Sequence, residues 1–235
     1  MNIIHTKEAF LKGQLLLIDK PLEWTSFQVV NKIRWAIRKK FDIKKIKVGH
    51  AGTLDPLATG LMLICTGRMT KQIEQFMGMR KTYTGSFRLG STTTSYDLET
   101  SVNDPKPIDH ISNEMLEEVR ADFLGNIQQK PPLHSAIKKG GKRLYELARA
   151  GKTTEIPFRE IQINDFELTE INMPDISFSV ICSKGTYIRS LAHDFGQKLG
   201  CGAHLTSLKR TAIGSYLLSD TLTINEFLHN LEEKS

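Results

Sequence analysis

The 235-residue sequence is poor in cysteine, with only Cys65, Cys182 and Cys201. Three cysteines are too few and too odd in number for a disulfide framework, which favours a reduced compartment. No apolar run approaches the roughly 18 residues of a membrane-spanning helix. The first ten residues lack the basic, apolar and small-residue order of a secretory signal. We therefore expect a cytoplasmic protein with no membrane partner.

Motifs for the common cofactors are also missing. No GxGxxG fingerprint follows a predicted strand, no GxSxG elbow is present, and the seven histidines are scattered without metal-ligand spacing. Residues 150–154 (AGKTT) look like the end of a phosphate-binding loop, but Glu146 stands where that motif needs glycine. The sequence predicts no metal and no organic cofactor, and it offers carboxylate chemistry instead.

Positive charge is clustered in two stretches of the chain. Residues 30–47 contain eight Lys or Arg and one acidic residue, and residues 130–152 contain seven and one. The net charge of the whole chain is only +6, so the remainder is acidic. Clustered positive charge on an acidic background indicates a polyanionic partner such as nucleic acid. Two solvated faces without a partner explain the charge about equally well.

Hydrophobic periodicity predicts an α+β fold in which hairpins and helices are mixed. A helix begins at the cap-type residues Thr25 and Ser26, with Phe27, Val30 and Ile33 on its apolar face. Strands are predicted at 14–19, 61–65, 81–89, 160–171, 175–182 and 204–217. Further helices are predicted at 68–79, 112–123, 144–150, 186–199 and 224–233, with loops at 91–110 and 129–142. We expect one domain over residues 1–235 with a short C-terminal helical tail.

Two segments carry candidate chemistry. The loop GHAGTLDPLATG at 49–60 places Asp55 before a proline between two strands, where a carboxylate can project into a cleft. From spacing alone, a turn aspartate bonded to its own backbone is the favoured interpretation. The segment 183–196 places Tyr187 and Arg189 at a helix start, where anions collect. Arg189 could pair there with a phosphate or with a carboxylate, but from this segment alone an ordinary surface salt bridge is the favoured interpretation.

Six segments, in order along the chain, resemble those of the TruB family of tRNA pseudouridine-55 synthases. They are LLLIDKPLEWTS at 15–26, GHAGTLDPLATGLM at 49–62, KTYTGSFRLGSTTTSYD at 81–97, PPLHSAIKKGGKRLYELARAG at 131–151, CSKGTYIRSLAHDFG at 182–196 and LTSLKRTAIGSY at 205–216. The resemblance implies a central mixed, mostly antiparallel sheet flanked by helices, with an RNA-binding cleft. It implies an isomerase that converts uridine 55 in the T-loop of tRNA to pseudouridine without metal or cofactor.

The resemblance also implies roles for individual residues. Asp55 matches the catalytic carboxylate, which attacks the ribose, attacks the base, or removes a proton to form a glycal; the sequence leaves these routes open. Tyr83 would stack on the uridine, and Arg189 would pair with Asp55. The remaining matches are a neighbour of the site, a residue that fills the space of the flipped base, a pocket-lining residue and a support of the catalytic loop: Tyr187, His50, Leu208 and Lys20.

The chain departs from the family pattern at two positions and at its end. Glu23 stands where the family usually has glycine, and His134 stands where it usually has tyrosine. We expect no C-terminal PUA domain and a monomer that binds the T-arm stem-loop of tRNA. A non-catalytic factor that assists tRNA folding through the basic stretches is the alternative, and both roles are compatible. Another RNA with a T-loop-like hairpin is a third candidate.

Overall fold

The computed structural model describes residues 3–103, 105–135, 138–139, 142–143 and 156–233. The chain divides into two compact units, Met1–Tyr83 with Leu208–Ser235, and Thr84–Ser207. It passes from the first unit to the second within strand β4 (Lys81–Leu89) and returns within β10 (Ala203–Ile213). No helix in the described ranges is long and apolar enough to cross a membrane.

The first unit contains a mixed sheet with helices packed against it. Its helices are α1 (Lys7–Lys12), α2 (Ser26–Phe41) and α3 (Ile73–Gly78), a 3-10 helix (Gly67–Gln72), a 3-10 turn (Leu218–Asp220) and the terminal helix, called α6 below (Ile224–Glu233). Its strands are β1 (Leu15–Lys20), β2 (Val48–His50), β3 (Ala58–Thr66), the start of β4, the end of β10, β11 (Tyr216–Leu217) and β12 (Leu222–Thr223). Strand β3 pairs antiparallel with β1 and β2 and parallel with β10, and β1 pairs parallel with β12.

Helix α2 begins at a capping box. The Thr25 hydroxyl accepts from the Gln28 amide, and the Gln28 side chain accepts from the Thr25 amide, so two amide groups of the first turn are satisfied. The predicted start is confirmed, but Phe27 is 65% exposed and does not belong to the apolar face. Ser26 occupies the buried position at the start of the apolar face instead. Phe27 follows it directly and therefore lies about 100° further around the helix axis.

The core of the first unit lies on β1 and β3. Both strands are buried along nearly their whole length because helices or loops cover both faces of the sheet. One side of the core contains Leu15, Leu17, Leu61, Leu63, Cys65, Phe76 and Ile213. On the other side, Phe10 of α1 meets Phe227 of α6 and Phe41 of α2 edge-on or tilted, with centroids 5.8 to 6.5 Å apart.

The second unit is an antiparallel sheet against two helices. Its elements are the end of β4, α4 (Asn113–Ala121), β5 (Gly125–Gln129), β6 (Lys138–Lys139), β7 (Lys142–Arg143), β8 (Arg159–Asn172), β9 (Asp175–Cys182), α5 (Ile188–Lys198) and the start of β10. Strand β8 pairs with β5 and β9. Packed aromatic rings form its core: Phe87, Phe123, Phe166, Phe178 and Phe195. This burial of apolar surface holds α4 and α5 on the sheet.

The prediction of an α+β fold with a mixed sheet flanked by helices is confirmed. The hairpin over 160–182 is confirmed, with Ile176, Phe178, Val180 and Cys182 all buried on one face. The strand predicted at 61–65 is longer because β3 continues on both sides. The strand predicted at 204–217 is two strands, since the chain turns at Gly214, where φ is 55°.

Other boundaries also differ from the prediction. Helix α5 starts at Ile188 rather than at 186, and α4 ends at Ala121. The predicted loop 129–142 contains the short hairpin β6–β7, and its other residues are described only up to 135. The helix predicted at 144–150 lies outside the described residues. Strand β5 was not predicted, because GNIQQ has little apolar alternation.

Candidate functional site

Asp55 lies in the connection between β2 and β3. The two strands pair antiparallel with His50 opposite Ile64, and the Ala51 amide extends the ladder by donating to the Leu63 carbonyl at 2.9 Å. The Ala58 amide donates to the Asp55 carbonyl at 3.1 Å, which closes a turn immediately before β3. The carboxylate is therefore carried on a short loop whose two ends are fixed by the sheet.

Residues before α2 fix this loop from a second direction. The Ser26 hydroxyl donates to the Leu54 carbonyl at 3.0 Å and accepts from the Leu54 amide at 2.8 Å. The Glu23 amide donates to the Pro56 carbonyl at 2.9 Å. Glu23 adopts φ of 65°, a left-handed conformation that glycine adopts without penalty, which explains why glycine suits this position. Both neighbours of Asp55 are thus held by the segment 23–26.

Lys20 lies fully buried beneath the same loop. Its ammonium donates to the carbonyls of Pro21 at 2.9 Å, Trp24 at 2.5 Å and Pro56 at 3.2 Å. Burial lowers the pKa of Lys20 to about 8, while the charges of Asp55 and Asp19 act in the opposite direction. Lys20 therefore joins the segment before α2 to the loop and places a positive charge near Asp55.

Arg210 is a buried part of the site that the sequence prediction missed. Its guanidinium donates from Nε to the Leu61 carbonyl at 2.8 Å and from Nη2 to the Gly52 carbonyl at 3.1 Å. It lies opposite Gly60 in the β3–β10 ladder, and a Cβ on Gly60 would fall 2.3 Å from the Arg210 carbonyl oxygen. The sequence offered one signal for Arg210. It follows the predicted pocket residue Leu208 by two positions, which places both residues on the same face of the strand.

Three further predicted residues lie in the first unit. Leu208 pairs with Ala58, three residues after Asp55. Tyr83 is buried on β4, whose start lies beside β10, where the Thr211 hydroxyl donates to the Thr82 carbonyl at 3.3 Å. His50 is half-buried at the end of β2, and burial together with the nearby Arg210 guanidinium lowers its pKa, which favours the neutral imidazole.

Arg189 lies in the second unit, in the first turn of α5. It is 3% exposed, and it donates from Nη1 to the Ser95 carbonyl at 3.1 Å and from Nη2 to the His134 carbonyl at 3.0 Å. Its Nε lies 3.6 Å from the carboxylate of Asp97, which is also buried. Of its possible roles, the surface salt bridge is wrong, because this is a buried ion pair with additional hydrogen bonds.

Tyr187 immediately precedes α5 and is held through its backbone. The Gln129 side chain accepts from the Tyr187 amide at 2.8 Å and donates to its carbonyl at 3.0 Å. Gln129 is buried at the end of β5 and was not predicted. His134 accepts from Arg189 through its backbone carbonyl, so the change from tyrosine at that position preserves this contact.

Residues 38–234 match two domains of one protein family. Residues 38–188 match the N-terminal domain of TruB family pseudouridylate synthases, which is more than half of the chain. The chain belongs to the TruB family. Residues 189–234 of this TruB-family protein also match the C-terminal domain of tRNA pseudouridylate synthase B.

Individual relatives cover almost all of this TruB-family chain. A tRNA pseudouridine synthase B of Flavobacterium johnsoniae is 54% identical over 228 residues, which are 97% of this chain and 100% of the relative. One of Phocaeicola vulgatus is 51% identical and covers 96% of both chains. A chain in the crystal structure of a Cbf5-Nop10-Gar1 complex has a TM-score of 0.69 at 27% identity. That alignment covers 95% of this chain and spans just over half, 56%, of the longer one.

The structure brings the predicted residues of the TruB-family site together in two sets. In the first unit, Asp55 lies on the loop before β3, Lys20 and Arg210 bond to that loop, and Leu208 pairs at its end. His50 ends β2 before the loop, and Tyr83 is buried on β4. Tyr187 and Arg189 lie together in the second unit, with Asp97 and Gln129 added. Among the described residues, no three His, Cys, Asp or Glu side chains are placed to hold a metal ion. The pairing of Arg189 with Asp55 stays a prediction.

Proposed function

We propose that this protein isomerises uridine 55 in the T-loop of tRNA to pseudouridine. Membership of the TruB family supports the reaction. Relatives that are named tRNA pseudouridine synthase B and are 54% and 51% identical support tRNA as the substrate. The observation that carries the proposal is a carboxylate, Asp55, on a loop fixed by Lys20 and Ser26 within a family-matched segment.

The reaction needs no redox partner. The bond between the ribose C1′ and N1 of uracil breaks, a bond from C1′ to C5 forms, and the proton on C5 is lost while N1 gains one. A fixed carboxylate supplies either the nucleophile or the base for such a sequence. The three routes open to Asp55 share one requirement, which is an ionised carboxylate aimed at the sugar or the base. We propose that Asp55 meets this requirement in the field of the Lys20 ammonium.

The other predicted residues take supporting roles in the same proposal. The target uridine is stacked within the T-loop, so it must be extruded before Asp55 can reach it. Tyr83 holds the face of the extruded base, His50 fills the space that it leaves, and Leu208 lines the pocket. Arg189 orients Asp55, and Tyr187 stands beside Arg189 through the contacts of α5.

We further propose a monomeric, cytoplasmic enzyme that works without metal or organic cofactor. The cysteines Cys65, Cys182 and Cys201 are all free and buried, which suits a reduced compartment. A single catalytic domain over residues 1–235 also stays a prediction. A second role in assisting tRNA folding rests on the two basic stretches, 30–47 and 130–152.

The test is to incubate an unmodified tRNA transcript with the protein, in the presence of a chelator, and to map pseudouridine by position. We expect product at uridine 55 alone, and none from Asp55→Asn, although this variant binds tRNA with unchanged affinity. Asp19→Asn is the matched control, because it removes the other carboxylate acting on Lys20 and should retain most activity. Pseudouridine formation by Asp55→Asn, or a loss of activity in Asp19→Asn as complete as in Asp55→Asn, would sink the catalytic assignment.

The folding role has a separate readout. If Asp55→Asn speeds the refolding of a misfolded tRNA transcript as well as the parent protein does, binding alone carries that role. If Asp55→Asn binds tRNA but does not speed its refolding, the independent folding role is ruled out.

A further inference from the structure

A basic cavity lies in the first unit, at the opposite end of β3 from Asp55. Its volume is about 680 Å³, and seven of its eleven lining residues are Lys or Arg, whereas none is acidic. Strand β3 begins at Ala58, just after Asp55, and ends at Thr66, just before the cavity residue Gly67. Eight steps of about 3.3 Å make this separation about 26 Å. The cavity is therefore not part of the site around Asp55.

Three segments supply its positive charges. Helix α2 contributes Arg34 and Arg38, which are one turn apart and so share a face. The loop after α2 contributes Lys44, Lys45 and Lys47, and the 3-10 helix contributes two more basic residues. The three loop lysines are exposed, and the described part of the chain offers no ion pair to any of them. Their charges are thus available to an anion from solution.

The cavity is a built feature rather than a loose arrangement of surface lysines. The Gly67 amide donates to the Lys47 carbonyl at 2.8 Å, which joins the loop wall to the 3-10 helix wall. Gly67 adopts φ of 51°, and a Cβ there would fall 2.2 Å from the Leu11 carbonyl oxygen, so α1 closes tightly against it. Arg38 Nε donates to the Ile43 carbonyl at 3.2 Å and fixes the start of the loop.

The adjoining surface of α2 extends this charge and adds an aromatic face. Trp35 is 55% exposed, and the ammonium groups of Lys32 and Lys39 lie 5.6 and 5.0 Å from its ring centroid. An exposed tryptophan between two cations is suited to a nucleic-acid chain, because bases stack on aromatic rings while cations contact phosphates. A small free anion would not require this additional surface.

We propose that the cavity binds the sugar–phosphate backbone of tRNA outside the T-arm stem-loop. The inference rests on the proposed function for the identity of its RNA partner. The separation of about 26 Å along β3 places the cavity away from the nucleotides next to uridine 55. Phosphates from the rest of the tRNA fit the separation, so the cavity makes the enzyme favour whole tRNA over an isolated hairpin.

The test compares two RNAs and two matched charge reversals. Lys45→Glu reverses a cavity lysine, and Lys106→Glu reverses an exposed loop lysine of the second unit. We expect Lys45→Glu to weaken binding of whole tRNA about tenfold at 0.15 M salt and to raise its KM with kcat unchanged. Its binding and modification of a T-arm hairpin should equal those of the parent, which also shows that the variant is folded. Lys106→Glu should change neither RNA.

The salt dependence gives a second readout. Removing two phosphate contacts with Lys44→Ala/Lys45→Ala should reduce the slope of log K against log salt by about 1.4 to 1.8 for whole tRNA, and leave the slope for the hairpin unchanged. Equal losses on hairpin and tRNA would overturn the inference, as would a tRNA affinity no lower than that of Lys106→Glu. Failure of the parent protein to modify even the hairpin would instead count against the proposed function.

Discussion

The Ser26 hydroxyl bonds both the amide and the carbonyl of Leu54, at 2.8 and 3.0 Å, although the two residues are 28 positions apart. Ser26 is the first residue of α2 and Leu54 is the last residue before Asp55. One buried hydroxyl therefore fixes both the entry of a helix and the approach of the chain to the candidate catalytic carboxylate. This contact explains physically why a serine stands at the last position of the family-like segment 15–26.

Ser26→Ala should reduce both stability and activity. It leaves two buried backbone groups of Leu54 without partners, which costs about 1 to 3 kcal/mol of the free energy of unfolding. Because the loop then loses its support, we expect kcat for pseudouridine formation to fall with KM little changed. The free energy is measured by urea unfolding, and kcat by product formation in T-arm RNA.

The matched control is Ser112→Ala, which removes the hydroxyl that caps α4 in the second unit. Losing this cap should cost about 1 kcal/mol and leave kcat unchanged. Equal kcat in the parent and in Ser26→Ala would show that the hydroxyl does not position Asp55.

Gly60→Ala should be far more damaging than an alanine at another glycine of positive φ. At Gly60, φ is 104°, and the new Cβ would overlap the Arg210 backbone at 2.3 Å, so β3 and β10 must separate. We expect a loss of about 3 to 5 kcal/mol in the free energy of unfolding, from backbone strain and overpacking together. Thermal and urea unfolding would measure the loss.

Gly125→Ala separates the two causes. At Gly125, φ is 85°, but no atom lies within 4 Å of the new Cβ, so only strain of about 1 to 2 kcal/mol applies. If the two variants lose the same free energy, the close contact between β3 and β10 contributes nothing.

Arg189→Lys should impair catalysis although the charge is kept. A lysine lacks the planar fork that reaches the Ser95 and His134 carbonyls together and still faces Asp97. We expect kcat to fall at least about tenfold, with a loss of about 2 to 4 kcal/mol in the free energy of unfolding. Single-turnover kinetics on T-arm RNA would give the chemical step.

Arg88→Lys provides a comparison at an exposed ion pair. Arg88 bonds Asp175 at the surface with both side chains about half exposed, so the change should cost little stability and no activity. An Arg189→Lys variant that matches Arg88→Lys in kcat would contradict the positioning role of Arg189.

The sequence predicted the parts of the fold that depend on local periodicity. Alternation placed β4 at its observed bounds, and the cap residues placed the start of α2. The site was predicted less completely, because Arg210, Asp97 and Gln129 act through contacts made only when distant strands and helices meet. Arg210 binds carbonyls at 52 and 61, and Gln129 binds the backbone of Tyr187. No local pattern distinguishes Asp97 or Gln129 from exposed polar residues, and only the spacing from Leu208 marked Arg210. The family resemblance, in contrast, located Asp55 and Arg189 by position.

Asp194→Asn should stabilise the protein at neutral pH. Burial raises the pKa of Asp194 to about 6, above its ordinary value of 3.8, and also raises that of the neighbouring Tyr96. Between pH 4 and 6 the folded protein keeps a proton that the unfolded chain releases, so this group lowers stability as pH rises through that window. The penalty is complete above about pH 6. Asparagine avoids it, so we expect the variant to exceed the parent at pH 7 and to differ little from it at pH 4.

Asp175→Asn should behave in the opposite way, because the hydrogen bond from Arg88 lowers the pKa of Asp175 below its usual value. Its contribution is present above the unfolded pKa and is lost as pH falls through the folded pKa, so this variant should be slightly less stable than the parent at pH 7. Urea unfolding of the parent and both variants at pH 4, 5, 6 and 7 measures the two slopes. If the difference between Asp194→Asn and the parent does not change across that range, the pKa of Asp194 is the same in the folded and unfolded protein, and burial does not raise it.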